Sequence, residues 1–207
     1  MSRGGDGLGA TTWPVRLGSF IVVGFPLLVA TDLDGTIIRS NGTISPRTVA
    51  AFARVEAAGA RFVLVTGRPP RMMRPIAEVF GHRGTAICAN GALSYDLRTD
   101  TVEALHLIPA ATLAAAATAL RAAVPGIGIA IEYPDGHAAD ALYQALNWDV
   151  NSSIPRVADD VLFGRPASKL LGRHFGYSCD DLLALALPAL DGLVSVTHSN
   201  SKGLVEA

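Results

Sequence analysis

A short apolar segment, LLVA at residues 27–30, is followed almost at once by the acidic sequence DLDGT at residues 32–36. An apolar run of this length that ends in a turn signal predicts a buried β-strand. Side chains two apart on an extended chain point to the same side, so Asp32 and Asp34 can face one ligand, and Gly35 allows a sharp turn after them. We therefore predict a strand that ends in two carboxylates, an arrangement suited to phosphoryl transfer.

The alternation of strands and helices predicts the fold of the first half of the chain. Ser45 and Pro46 supply an N-cap and a first-turn proline for a helix, and Gly59 predicts its end. Further elements follow in order: a strand at residues 61–65, a loop at 66–70, a helix to about residue 80 and a third strand at 85–89. This order predicts a parallel sheet with right-handed crossovers.

Polar residues follow all three predicted strands. They are Asp32 and Asp34, then Thr66 and Gly67, then Asn90 and Gly91. In open parallel sheets, ligands bind outside the carboxyl ends of the strands, where these residues would converge. The acidic turn alone is equally compatible with a solvated turn or a calcium-like loop, but three such strand ends favour a phosphate site.

The composition excludes several classes of function. The 207 residues are 50% hydrophobic, enough for a sizeable core, and the formal net charge of −1 offers no field for nucleic acid. Cys88 and Cys179 have neither the number nor the spacing of a disulfide framework or a zinc site. We therefore expect reduced thiols, a cytoplasmic protein and a small-molecule substrate.

The apolar stretch at residues 17–30 raises the question of membrane insertion. It contains Gly18, Gly24 and Pro26, and it is shorter than the roughly 18 apolar residues of a membrane span. We predict no membrane segment. A signal peptide is the alternative, because basic residues precede the stretch. For residues 1–20 we predict a disordered or flexible leader.

A second unit, of α+β type, is predicted beyond Ser94. Its elements are strands at residues 101–108, 127–133 and 193–197 and helices at residues 110–123 and 178–187. We place a core at residues 21–94, this second unit at 95–200, and the start of a return to the core at 201–207.

Three segments carry a resemblance to a known family: ATDLDGT at residues 30–36, LVTGRP at 64–69 and ICANGA at 87–92. Together they resemble the haloacid dehalogenase (HAD) superfamily of phosphatases, in its Cof-like type IIB branch. The resemblance implies an α/β fold, with a Rossmann-like three-layer HAD core around a parallel sheet and an inserted α+β cap of the C2 type. The cap comes after the third strand, since residues 36–62 leave room for only one helix.

The resemblance assigns chemistry to the two aspartates. It implies that Asp32 attacks phosphorus to form an aspartyl-phosphate, while Asp34 protonates the leaving oxygen and then activates water. Two carboxylates repel a phosphate dianion unless a hard cation intervenes, so Mg²⁺ is implied, bound by the Asp32 carboxylate and the Asp34 carbonyl. The Thr66 hydroxyl and the Gly67 N–H would hold the phosphoryl oxygens.

Other residues are weaker candidates for the site. Asn90, together with Gly91, is implied to orient the phosphate. Arg68 is either a substrate contact or an exposed structural arginine. Lys169 falls in the predicted return strand of the cap, so we do not expect it to be catalytic.

The family pattern continues further than this sequence does. Family members return from the cap to the core with a lysine on a helix, then a strand that ends in a Gly-Asp pair and completes the metal site. The residues up to Ala207 contain neither, and Lys202 comes too early for that lysine. We expect that the later part of the core is missing, that the strand before Asp32 is a sheet edge, and that hydrolysis by this chain is weak or absent.

The resemblance implies a Mg²⁺-dependent phosphatase that acts on a small phosphorylated metabolite, such as a sugar phosphate. Two alternatives share the site: a phosphomutase, which returns the phosphoryl group to a sugar, and a non-catalytic remnant that binds phosphate. A receiver-like signalling domain also has acidic residues at a strand end, but an α+β unit after the third strand has no place in it.

Overall fold

A computed structural model of the chain describes residues 14–17, 20–23, 26–145, 154–198 and 203–207. The strands β1 (Pro14–Leu17) and β2 (Phe20–Val23) pair in an antiparallel manner, which was not predicted from the sequence. The rest of the predicted leader, residues 1–13, 18 and 19, lies outside the described residues. No helix in the described part of the chain has the length and hydropathy needed to cross a membrane.

Within the described residues, a five-stranded mixed sheet forms the first half of the fold. Its strands are β3 (Leu28–Asp32), β4 (Arg61–Val65), β5 (Thr85–Cys88), β6 (Leu93–Asp96) and β7 (Thr101–Ala104). They lie in this order across the sheet, with β3 at one edge as predicted. β3, β4 and β5 are parallel, which confirms the prediction, and β6 and β7 continue the sheet antiparallel.

The antiparallel part of this sheet corrects one sequence expectation. The sequence predicts a strand over residues 101–108 in the second unit, but β7 ends at Ala104 and pairs with β6 in the first sheet. β6 was not predicted as a strand. It pairs along β5, where Cys88 lies opposite Leu93, and so satisfies backbone groups that β5 would otherwise leave unpaired.

Two helices connect the parallel strands: α1 (Pro46–Ala57) and α2 (Arg74–Val79). Ser45 is the N-cap of α1, as predicted, because its hydroxyl accepts a hydrogen bond from a first-turn N–H. Phe52 of α1, Phe62 of β4 and Phe80 after α2 form a cluster, with ring centroids 5.1 to 5.6 Å apart. The three rings belong to one buried core, which fixes both helices relative to β4.

The second half of the fold, which we call the cap, combines three helices with a four-stranded sheet among the described residues. Its strands are β8 (Gly128–Tyr133), β9 (Gly136–Ala139), β10 (Lys169–Arg173) and β11 (Leu204–Glu206). Its helices are α3 (Ala110–Ala123), α4 (Asp159–Leu162) and α5 (Cys179–Leu190). The strands form an antiparallel sheet in the order β11, β10, β8, β9.

The cap sheet has two different faces. Ile129, Ile131 and Val205 belong to a core that includes residues of α3 and α5, so the helices cover one face. Side chains alternate along a strand, and Leu171 and Leu204 therefore point to the opposite face. That face lies over the carboxyl ends of β3 and β4, since both leucines line a cleft with residues that follow those strands.

The end of the chain differs from the sequence expectation. Residues 193–197 were predicted as a strand, but the structure has none there; only Thr197 forms an isolated bridge, with Glu206. Residues 201–207 were predicted to begin a return to the core, whereas β11 pairs with β10 inside the cap sheet. Lys202 lies outside the described residues.

Candidate active site

The loop after β3 presents both predicted aspartates to solvent. Leu33 is fully buried, and its carbonyl accepts hydrogen bonds from the N–H groups of the turn that follows. Gly35 has φ of +80°, a conformation that glycine adopts without steric cost. Asp32 and Asp34 flank the buried leucine and remain exposed. The Thr36 hydroxyl donates a hydrogen bond of 2.8 Å to Oδ2 of Asp32, which fixes the orientation of that carboxylate.

Arg68 holds Asp34 from the neighbouring loop. Its Nε donates to Oδ2 of Asp34 at 2.7 Å, and its Nη2 donates to Oδ1 at 2.5 Å. This bidentate geometry is the one that fixes a carboxylate most firmly. The hydrogen bond to Asp34 raises the pKa of Arg68. Arg68 therefore orients Asp34, a contact that was not predicted from the sequence.

The loops after β4 and β5 are tied to each other by hydrogen bonds. The buried Thr66 donates its N–H to the Ile87 carbonyl at 2.9 Å and accepts the Asn90 N–H at 3.3 Å. Its hydroxyl oxygen accepts the Arg68 N–H at 3.1 Å. Asn90 and Gly91 have φ of 57° and 103°, so the chain turns sharply here and brings Asn90 beside Thr66. The predicted convergence of strand ends is therefore present in the structure.

All predicted site residues except Gly91 line one cleft of about 520 Å³ between the first sheet and the cap. They are Asp32, Asp34, Thr66, Gly67, Arg68 and Asn90. Gly91 lines a neighbouring cavity of about 530 Å³, which Asn90 also lines. Among the described residues, no acceptor bonds to the Gly67 N–H, so this donor is available to a ligand.

Three charged residues of the cap complete the cleft, and none was predicted. Glu132, Lys169 and Glu206 are each 5% exposed or less. Lys169 Nζ donates to Oε2 of Glu206 at 2.6 Å and to the Gly67 carbonyl at 2.8 Å. Asn90 Nδ2 also donates to Glu206, at 3.3 Å.

A second contact between the two halves lies at Glu132. Arg71, in the turn after β4, donates to both carboxylate oxygens of Glu132 at 2.5 and 3.2 Å. The sequence offers one signal for all three cap residues, because each is a charged residue inside or at one end of an apolar strand. A charge in a buried strand requires a partner, and here the partners lie across the cleft or in the adjacent strand.

The donor set of the loop after β3 fits a magnesium ion. Oδ1 of Asp32 has no hydrogen-bond partner among the described residues, and the carboxylate is exposed. Mg²⁺ is commonly held by one or two carboxylates and several waters, so it does not need a cage of protein ligands. No group of three or more His, Cys, Asp or Glu residues in the described ranges is arranged to hold a metal ion. The fit therefore rests on Asp32 and the adjacent Asp34 carbonyl.

A model of the haloacid dehalogenase-like hydrolase family matches residues 29–131, which include β3, β4, β5 and the loops of the cleft. Pyridoxal phosphate phosphatase YbhA of Escherichia coli (strain K12) is 36% identical over 75 residues, and these make up 36% of this chain. The match spans only 28% of that relative's length.

Two solved structures share the fold. A phosphatase of the haloalkanoate (HAD) superfamily from Bacteroides thetaiotaomicron has a TM-score of 0.67 and 20% identity, and the match covers 88% of this chain and 66% of the other. A sugar phosphatase of HAD subclass IIB has a TM-score of 0.69 and 15% identity, with 86% and 68% covered. The family model matches the strands and loops that form the core side of the cleft, and the fold is that of solved HAD phosphatases. The chain belongs to the haloacid dehalogenase-like hydrolases.

Proposed function

We propose that this protein is a Mg²⁺-dependent phosphatase that hydrolyses a small phosphorylated metabolite through an aspartyl-phosphate at Asp32. The observation that carries the proposal is the position of Asp32: its carboxylate is exposed at a strand end, fixed by the Thr36 hydroxyl, and faces a cleft with free hydrogen-bond donors. The printed names of two relatives, a pyridoxal phosphate phosphatase and a sugar phosphatase, support a small phosphorylated substrate.

The residues of the cleft suit a displacement in two steps. Oδ1 of Asp32 attacks phosphorus, and the bond to the leaving oxygen breaks as the aspartyl-phosphate bond forms. The Gly67 N–H and the Thr66 hydroxyl bind the phosphoryl oxygens as fixed donors. Asp34, once protonated and released from one of its two hydrogen bonds with Arg68, gives its proton to the leaving oxygen.

In the second step, Asp34 takes a proton from water, and the water oxygen attacks phosphorus. The bond between phosphorus and Asp32 then breaks, which releases phosphate and restores both carboxyl groups. Mg²⁺ bound by the Asp32 carboxylate and the Asp34 carbonyl would offset the repulsion between these carboxylates and the phosphate dianion.

The cap is suited to select the substrate and exclude water. Leu171 and Leu204 give the cleft an apolar wall, while Glu132, Lys169 and Glu206 give it a charged one. A leaving group bound against these residues is separated from bulk solvent, which strengthens electrostatic interactions at the phosphate. A sugar phosphate or pyridoxal phosphate fits a cleft of this size and mixed polarity.

We place the reaction in the cytoplasm. Cys88 and Cys179 are both buried thiols, as expected of a protein kept in a reducing compartment. The substrates in this proposal are cytoplasmic metabolites.

Hydrolysis of a panel of phosphomonoesters tests the proposal. The panel includes sugar phosphates, pyridoxal phosphate and a chromogenic phosphomonoester, with and without Mg²⁺, and free phosphate is measured. We expect weak, Mg²⁺-dependent release that Asp32→Asn abolishes, while Asp160→Asn, at an exposed aspartate of α4, leaves the rate unchanged. Equal rates for Asp32→Asn and the unmodified protein would contradict the proposal.

Isomerised sugar phosphate without free phosphate would assign a phosphomutase, and phosphate binding without turnover would assign a non-catalytic remnant.

A further inference from the structure

Lys169 belongs to the cap, yet its ammonium group reaches the phosphate-site loop of the core. The residue begins β10 and is only 4% exposed. Its Nζ lies 2.8 Å from the Gly67 carbonyl, on the residue whose N–H faces no protein acceptor. A methyl group added at Gly67 would lie 3.7 Å from Nζ and 2.8 Å from Oδ1 of Asn90. Lys169 is therefore packed directly against the backbone that would bind phosphate.

The ammonium group of Lys169 retains hydrogen-bonding capacity. An ammonium has three N–H donors, and within the described ranges Lys169 uses two, toward Gly67 and Glu206. Among the described residues, the cleft is lined by four carboxylates and two cations, Arg68 and Lys169. Arg68 uses two of its five N–H donors on Asp34, so it also keeps free donors. Lys169 differs in position, because its Nζ contacts the carbonyl of Gly67, the residue whose N–H bonds to no acceptor among the described residues.

We propose that Lys169 is a phosphate ligand contributed by the cap, and that the carboxylate of Glu206 restrains its positive charge. This inference rests on the proposed phosphate site. Phosphate bound to both Gly67 and Lys169 joins the core to the cap, so substrate binding and closure of the cap favour each other. The charge of Glu206 beside the ammonium weakens the attraction for phosphate and so eases product release.

A purely structural role for the Lys169–Glu206 pair makes a different prediction. If the pair only fastens the cap to the core, removal of either partner disturbs the cleft, and both changes weaken phosphate binding. If Lys169 is a ligand restrained by Glu206, the two changes act in opposite directions. Removal of the ammonium weakens phosphate binding, and removal of the neighbouring negative charge strengthens it.

Calorimetric titration with inorganic phosphate in the presence of Mg²⁺ tests the inference. We expect Lys169→Met to weaken binding about tenfold or more, as for the loss of a charge-assisted hydrogen bond. Glu206→Gln should strengthen binding about two- to fivefold, because the amide keeps the hydrogen bond and loses the charge. Arg165→Met, which removes an exposed cap arginine paired with Asp135, is the matched control and should bind as the unmodified protein does.

The outcomes separate the inference from the proposed function. If the unmodified protein binds phosphate and Lys169→Met binds it equally well, or if both single variants weaken binding alike, the inference is wrong and the phosphatase proposal stands. If the unmodified protein neither binds phosphate nor hydrolyses any phosphomonoester, both fail. Lys169→Met removes the ammonium group beside the buried Glu206 carboxylate, so the double variant with Glu206→Gln, which also removes that charge, is titrated too. Binding by the double variant as tight as that of the unmodified protein would overturn the inference, because a phosphate ligand cannot be replaced by neutralising its partner.

Discussion

The ion pair between Arg71 and Glu132 joins the core to the cap, and its removal should loosen the connection between them. Arg71 bonds both carboxylate oxygens of Glu132, which lies in β8. The Glu132 side chain is 7% exposed and that of Arg71 is 28% exposed. We predict that Arg71→Met lowers the free energy of unfolding, because it leaves a buried carboxylate without its cation.

The burial of Glu132 sets the size of the effect. Removal of one partner from a fully buried ion pair typically costs about 3–5 kcal/mol, because the remaining charge stays desolvated. Arg71 is partly exposed, so water already screens the pair, and we expect about 2 kcal/mol. A loss of this size lowers the melting temperature by about 4–8 °C in a protein of this length.

Thermal and urea unfolding of four variants measure the effect: Arg71→Met, Glu132→Gln, the double variant and Arg74→Met. In the double variant Arg71→Met/Glu132→Gln the uncompensated charge is gone, so the loss should fall to about 1 kcal/mol. Arg74→Met is the matched control, because Arg74 pairs with Glu78 at 3.9 Å on an exposed helix face. Arg74→Met should lower the free energy of unfolding by less than about 0.5 kcal/mol.

Two results would refute this reasoning. Equal destabilisation by Arg71→Met and Arg74→Met would mean that the burial of Glu132 has no energetic consequence. A double variant destabilised by the full sum of its two single variants would mean that Arg71 and Glu132 are not coupled.

Two further predictions concern the core. Gly84 has φ of +90°, and an added Cβ would lie 2.4 Å from the Phe62 ring, so Gly84→Ala should cost about 2–4 kcal/mol in urea unfolding. Gly42 has φ of +78° but open space around it, so Gly42→Ala should lower the free energy of unfolding by only about 1 kcal/mol. Equal losses for the two variants would mean that the contact with Phe62 has no energetic effect. Burial raises the pKa of the Cys88 thiol to about 12, so the thiol stays protonated at lower pH. Iodoacetamide at about pH 8.5 should leave Cys88 unmodified in the folded protein and alkylate it in urea, and the masses of digested peptides measure this. Rapid alkylation of Cys88 in the folded protein would contradict the burial of its thiol.

The parallel part of the fold could be predicted because its signals are local. The apolar runs that become β3, β4 and β5 each end in turn residues, and Ser45 marks the helix start by its own hydrogen bond. By contrast, the place of β7 depends on pairing with β6, and no local pattern specifies the edge that a hairpin joins. The alternating residues at 193–197 fit a strand as well as the residues of β3, β4 and β5 do. A strand also needs a neighbouring strand with which to pair, and in this segment only Thr197 pairs with another residue.

The candidate site divides in the same way. Asp32, Thr66 and Asn90 were predicted because each follows a strand whose end is visible in the sequence. Lys169 and Glu132 were not, since they meet through the register of the cap sheet, in which they lie directly opposite each other. Register is set by the burial of whole strands, so the sequence shows that a charged residue interrupts an apolar strand but does not show what it contacts.

Mass spectrometry of acid-quenched protein determines whether Asp32 accepts the phosphoryl group. The Asp34→Asn variant is used, because slower activation of water lets the intermediate accumulate, and an acyl phosphate with a good leaving group serves as the phosphoryl donor. After digestion, we predict a phosphoryl mass increment on the peptide that contains Asp32, and none when Asp32→Asn is added. A phosphoryl group on a different residue, or one that persists in the Asp32→Asn double variant, would contradict the proposed chemistry.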